Sequence, residues 1–195
     1  METEIGEDGS RLLTAEQIND LWREGLRQGN RVSFRVGSDS MAPLLRTGDR
    51  ITVQPFPANE RLHKGEIVLI RTSEDWVVHR IIGFFRRGEE IYYRQKGDAG
   101  HHSAAVPAAV VAARVVRIER AGRVIDLSGR GWRLKNRMIG VFFSLLDSLL
   151  RWGKRHQGEG TNSSHVVIRT WVSGLFRRFE SLIAWLAARL NSSSH

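Results

Sequence analysis

Residues Gly37 to Pro43 read Gly-Ser-Asp-Ser-Met-Ala-Pro, and Gly48-Asp49 follow closely. Val32, Phe34 and Val36 alternate with polar residues just before this segment, as in a half-buried strand, and Pro43 ends it. A strand that breaks into a turn can hold a side chain rigidly at the edge of a sheet. Here that side chain would be a serine hydroxyl, which is a weak nucleophile until a base removes its proton. The base must come from elsewhere in the chain, and Lys64, Lys96, His63, His79, His101 and His102 are the candidates. An imidazole, with a reference pKa of ~6.5, is largely neutral near pH 7 and accepts a proton without unusual burial. Each residue also has a plainer use. The serine could cap a strand end, His79 could be a half-buried core residue of a β run, and Asp98 after Gly97 suits a hairpin turn. Gly48-Asp49 reads as a turn, and Met41 as a core residue or part of a groove lining. His101 and His102 are adjacent and would point to opposite faces of a strand, with no further ligands at suitable spacing. No metal or other cofactor is therefore expected.

The elements that must position these residues are short β-prone runs broken by Gly and Asp. Ile51-Thr52-Val53, Ile67-Val68-Leu69-Ile70, Trp76-Val77-Val78 and Ile91-Tyr92-Tyr93 are followed by Val110-Val111 and Val115-Val116-Arg117-Ile118. Strands at this spacing predict a mainly β, mostly antiparallel domain over residues 31–128, ending near Leu127. Residues 1–30 read as a flexible acidic N-terminus and one short helix. Thr14 and Gln17 make a capping box there, Ile18, Leu21, Trp22 and Leu26 recur at helical spacing, and Gly29 ends it. Residues 129–195 read as a basic tail of two amphipathic helices. Ile139, Phe142, Phe143, Leu146, Leu149 and Leu150 share one face of the first, and a stripe from Val172 to Leu190 marks the second. A polar linker, Gln157 to Ser164, separates them.

The blocks of the β region occur in a telling order. Gly37-Ser-Asp-Ser-Met-Ala-Pro43 is followed by Gly48-Asp-Arg-Ile-Thr-Val53, then Lys64-Gly-Glu-Ile-Val68, Val77-Val-His-Arg-Ile-Ile82 and Gln95-Lys-Gly-Asp-Ala99. Over roughly residues 31–118 this resembles signal peptidase I of the archaeal and endoplasmic-reticulum type, in which His replaces the bacterial Lys. It resembles more loosely the peptidase domain of LexA-like repressors. The resemblance implies a coiled antiparallel β-sheet peptidase domain, with Ser40 as nucleophile and His79 as general base. It further implies that Ser38 and the Ser40 N–H donate to the oxyanion, and that Asp98 supports the site by orienting the base. A carboxylate on the second imidazole nitrogen would fix the tautomer and stabilise the imidazolium. Substrate would bind as an extended strand beside the site, with Met41 and Pro43 at the groove and Ile67–Ile70 or the strand before Ser40 flanking it. Two features depart from the family pattern. Ala99-Gly-His-His-Ser-Ala-Ala105 lacks the second carboxylate often found after Lys-Gly-Asp, leaving Asp98 alone or joined by His101 or His102. Gly65-Glu66 stands where Gly-Asp is usual.

Composition bounds the partners. The formal net charge is +9, and from Ala112 onward 15 Lys/Arg face 5 Asp/Glu, a net of +10. Such a tail suits an anionic surface, and Trp152, Trp171 and Trp185 beside Arg and Lys suit a lipid headgroup region. Residues 138–190 are thus a candidate membrane-surface contact, and packing of the same stripes on the β domain or on each other is the plainer use. The basic residues are dispersed and form no recognition motif, so no specific nucleic-acid partner is expected. The absence of cysteine excludes disulfides and a thiol nucleophile. The acidic start METEIGEDGS is unlike a signal peptide, and no run of about 18 apolar residues offers a membrane anchor. The expected location is peripheral to a membrane or cytoplasmic. Together these readings point to a serine endopeptidase that removes a leader or signal segment. The alternatives are a self-cleaving LexA-like regulator and a non-catalytic peptide-binding module. The regulator would need a DNA-binding domain that some 30 residues ahead of Val32 do not provide, and it uses Lys where His79 stands here.

Overall fold

The computed structural model describes residues 15–57, 60–73, 75–100 and 102–155. Thr14, His101, the linker and the second tail helix lie outside the described residues. Helix α1 spans Ala15–Arg27. It ends where Gly29 takes φ +81, and the Asn30 N–H closes back on the Gly25 carbonyl at 2.9 Å. Leu26 enters the core and the Trp22 ring stacks on Phe34 at 4.6 Å, but Leu21, read from the sequence as part of the same face, is 59% exposed.

Eight strands form one antiparallel sheet: β1 Val32–Arg35, β2 Arg50–Gln54, β3 Ile67–Arg71, β4 Trp76–Arg87, β5 Glu90–Lys96, β6 Ser103–Pro107, β7 Val111–Arg120 and β8 Arg123–Asp126. The spatial order is β1-β2-β7-β3-β4-β5-β6, with β8 paired to the far end of β7. The mainly β architecture with a short N-terminal helix and a C-terminal helix is therefore as the sequence predicts. Two details differ. Val110-Val111 and Val115–Ile118 belong to one segment, a 3-10 turn running into the long strand β7. Ser103–Pro107, which has no apolar alternation to announce it, is a strand because it completes the edge beside β5.

Helix α2, Arg130–Arg155, packs on the sheet and not beyond it. Ile139, Phe143 and Leu146 join the main core with Met41, Leu44, Leu45, Ile51 and Leu69. Asp147 accepts from the Ser103 hydroxyl and pairs with Arg94, fixing the helix to β5 and β6. Close approach of main chains sets the docking depth. A Cβ on Gly140 would lie 2.2 Å from the Gly65 nitrogen, and one on Gly65 would lie 2.0 Å from the Asn136 oxygen. Gly65 also takes φ +97, a conformation open to glycine. Leu149, read from the sequence as part of the packing face, is 57% exposed. It belongs instead to a second apolar stripe with Leu134, Met138, Val141 and Leu145, on the side turned away from the sheet. No described helix is long and apolar enough to cross a membrane.

The Gly140–Gly65 contact has no space for a methyl group. Gly140→Ala should lower stability by about 1–3 kcal/mol, read as a lower urea midpoint at unchanged slope.

Candidate active site

Ser40 lies in the loop between β1 and β2, and the loop is tied at several points. Its neck is closed by the Val36 N–H on the Asp49 carbonyl and the Gly48 N–H on the Val36 carbonyl, both 2.8 Å. The Asp39 carboxylate accepts the Thr47 N–H at 2.8 Å. Buried Asp49 accepts the Arg46 N–H at 2.8 Å and takes a two-point pair from Arg120, whose guanidinium also reaches the Leu44 carbonyl at 2.9 Å. Met41, Leu44 and Leu45 sink beneath the loop, each 1% exposed or less. Ser40 is left half-buried on the rim, while Ser38 and Asp39 face solvent.

His79 comes from β4. The β4–β5 register pairs Arg80 with Lys96 and Ile81 with Gln95, so Gln95 and Gly97 lie on the same face as His79. The three segments meet at Gly97. The Ala99 N–H donates to the Ser40 carbonyl at 3.0 Å. A Cβ on Gly97 would stand 2.5 Å from the Ser40 carbonyl oxygen and 3.2 Å from His79 Nε2. Only a residue without a side chain lets the serine main chain and the imidazole converge there. Ser40 Oγ accepts from the Ser38 hydroxyl at 3.5 Å, the outer limit of a hydrogen bond, and no Ser40–His79 hydrogen bond forms among the described residues. Catalytic hydrogen bonds of this kind often tighten only when substrate is bound.

The other imidazole nitrogen, Nδ1, contacts the carboxamide oxygen of Gln95, which is 8% exposed. An oxygen acceptor at Nδ1 places the proton there and leaves Nε2 with its lone pair. Burial holds the His79 pKa below the usual imidazole range. The Gln95 bond and the charge of Asp98 oppose this shift, and the charge of Lys96 reinforces it.

Asp98 does not touch the imidazole. The expectation of a carboxylate on Nδ1 is corrected to an amide, because both Asp98 oxygens are taken by Arg80. Arg80 Nε donates to Oδ1 at 2.8 Å and Nη2 to Oδ2 at 2.6 Å. Both side chains are fully buried. Arg80 Nη1 completes the network on the Gly65 carbonyl and the Asn136 carboxamide oxygen, each at 2.9 Å. Asp98 thus acts on His79 through its field and through Arg80, the next residue in the chain.

The remaining candidates have other partners. Lys96 donates to the Gly97 carbonyl at 2.7 Å and sits 4.1 Å over the Phe143 ring. Lys64 donates to the Ser144 hydroxyl at 2.9 Å, and His63 and His102 are exposed. Of the two groove residues, Pro43 is half-buried near Ser40, but Met41 is a core residue with no surface to offer a substrate. Ile67–Ile70 cannot take up an added strand either, since β3 is paired on one side with β4 and on the other with β7. Strand β1 pairs with β2 on one side and is an edge of the sheet. A cavity of about 400 Å³ lies elsewhere, between the Phe56 and Arg114 region and the start of α2, and includes neither Ser40 nor His79.

Gln95, Arg80 and Asn136 were not singled out from the sequence. For Gln95 a signal existed: it precedes Gly97 by two residues, so on a strand the two share a face.

No family model matches the chain. The chain is similar to signal peptidase I W of Bacillus subtilis (strain 168), with 31% identity over 88 residues. The match covers 45% of this chain and 45% of the relative, so it spans a little under half of that protein's length.

Removing Asp98 would leave the Arg80 charge buried and unpaired. Asp98→Ala should cost about 3–5 kcal/mol in chemical denaturation, so loss of function in that variant must be read together with its folded fraction.

Proposed function

We propose that the chain is a serine endopeptidase of the Ser/His signal-peptidase type, cleaving a leader or signal segment from a protein or peptide. The observation that carries this reading is the convergence of the Ser40 main chain and His79 Nε2 on Gly97, with Nδ1 already satisfied by Gln95. The similarity to a signal peptidase supports the same class.

In this mechanism the substrate lies extended beside β1 and Pro43. Ser40 Oγ attacks the scissile carbonyl carbon, and its proton passes to His79 Nε2. The carbonyl oxygen becomes an oxyanion that accepts hydrogen bonds from the Ser38 hydroxyl and the Ser40 N–H; each such donor contributes about 100-fold in rate. Collapse of the tetrahedral species breaks the C–N bond, and the imidazolium gives its proton to the leaving amine. Water then attacks the acyl-serine ester with His79 again as base, releasing the carboxylic acid and restoring Ser40.

Protein N-termini compared across cells carrying wild type, Ser40→Ala or His79→Ala test the assignment. The same few mature N-termini should disappear in both variants, each loss about 1,000-fold or more in processing rate. Persistence of every N-terminus in both would remove the peptidase reading and leave a binding module.

The proposed location is a membrane surface. The outer stripe of α2 exposes Leu134, Met138 and Leu145 at 62%, 64% and 61%, and the helix carries seven Lys/Arg against one Asp. An apolar face with cationic flanks fits an anionic lipid interface. The protein should sediment with vesicles rich in phosphatidylglycerol and stay in solution with phosphatidylcholine alone. Met138→Glu with Leu145→Glu should abolish sedimentation while leaving the urea midpoint unchanged, both side chains being outside the core.

A further inference from the structure

The carboxylate whose charge acts on the imidazole, Asp98, is committed to Arg80, and a neutral carboxamide occupies the position at Nδ1 that a carboxylate fills in a Ser-His-Asp triad. Gln95 is buried, comes from β5, and shares the face of Gly97, where Ser40 and His79 approach each other. We propose that Gln95 is the positioning residue of this site: its carboxamide oxygen keeps the proton on His79 Nδ1 and aims Nε2 at Ser40. The proposal rests on the peptidase reading for its purpose, but not for its geometry.

Other groups around His79 do not serve this role. Asp98, in the turn after β5, acts on the imidazole through its charge and through Arg80, and Lys96, the last residue of β5, acts through its charge. Val68, opposite His79 on β3, brings no charge. Asp39 of the Ser40 loop is bonded to the Thr47 N–H, and Asn136 of α2 is bonded to Arg80. Gln95 is therefore the group in hydrogen-bond contact with Nδ1. A neutral partner fixes the tautomer as a carboxylate would, yet stabilises the imidazolium less. The Gln95 bond raises the His79 pKa against the burial that lowers it, but by less than a carboxylate at Nδ1 would.

Nitrogen-15 histidine spectra of the full chain test this directly, with the His79 signal identified by its loss in His79→Gln. Wild type should carry the proton on Nδ1 and titrate below the ordinary imidazole value of ~6.5. Gln95→Glu should move the midpoint up by about 1–2 pH units, and the near-isosteric Gln95→Leu should lose the single tautomer. The functional readout is the rate at which a fluorophosphonate labels Ser40, followed by intact mass against Ser40→Ala. Its acid limb should move up with the midpoint in Gln95→Glu, and the rate should fall about 10–100-fold in Gln95→Leu. A wild-type proton on Nε2, or an unchanged midpoint in Gln95→Glu, would overturn the proposal. Equal labelling rates and pH profiles in wild type and Gln95→Leu would overturn it while sparing the peptidase reading. Spectra as expected with no Ser40 labelling would leave the positioning role standing and count against the peptidase reading instead.

Discussion

The buried pair between Arg80 and Asp98 is the constraint on which the site depends. Removing two such charges from water costs several kcal/mol each, and that cost is offset only when every donor and acceptor is matched. Arg80 places four of its five N–H groups on two carboxylate oxygens, the Gly65 carbonyl and the Asn136 carboxamide. The match requires the β4–β5 register, the turn at Gly65 and the docked helix α2 at once. Each partner of the pair is also the neighbour of a site residue, Arg80 following His79 and Asp98 following Gly97. Any arrangement that satisfies the buried charges therefore fixes the imidazole and the glycine that receives Ser40.

Close packing of main chains complements this polar lock. Gly97 lets the Ser40 carbonyl approach the end of β5, and Gly65 and Gly140 let α2 approach the turn before β3. Where a side chain would have held the elements apart, absent ones bring Asn136 within reach of Arg80. Helix α2 is for this reason part of the domain that holds the site, although its outer face remains apolar and cationic. One helix serves both as core element and as candidate contact with an anionic surface, on faces roughly opposite to one another.

The electrostatics of the site follow from who is paired with whom. Asp98 is neutralised locally by Arg80, and Lys96 is held on the Gly97 carbonyl and over Phe143. At His79 desolvation is the largest influence and lowers the pKa, with the Gln95 amide and the Asp98 charge opposing it and the Lys96 charge adding to it. The loop bearing Ser40 is held by a second ion pair, Arg120–Asp49, so Ser40 and His79 sit on separately braced supports that meet at Gly97.

Much of this was legible locally. Short β-prone runs broken by Gly and Asp located most strands, helical spacing located α1 and the inner face of α2, and Gly and Pro marked the loop around Ser40. Such features depend on neighbours a few residues away. The partner of His79, the occupation of Asp98 by Arg80, the burial of Met41 and the strand at Ser103–Pro107 depend on contacts between distant segments. Gln95 is 16 residues from His79 and Asn136 is 56 from Arg80. A strand register slipped by one residue would turn each side chain to the opposite face, and no local pattern distinguishes the two registers at a polar position. The sequence by itself therefore determined which residues could do chemistry and which elements carry them. Only the tertiary structure decided which of them face one another, because pairing of buried charges and polar groups is settled across strands and not along them.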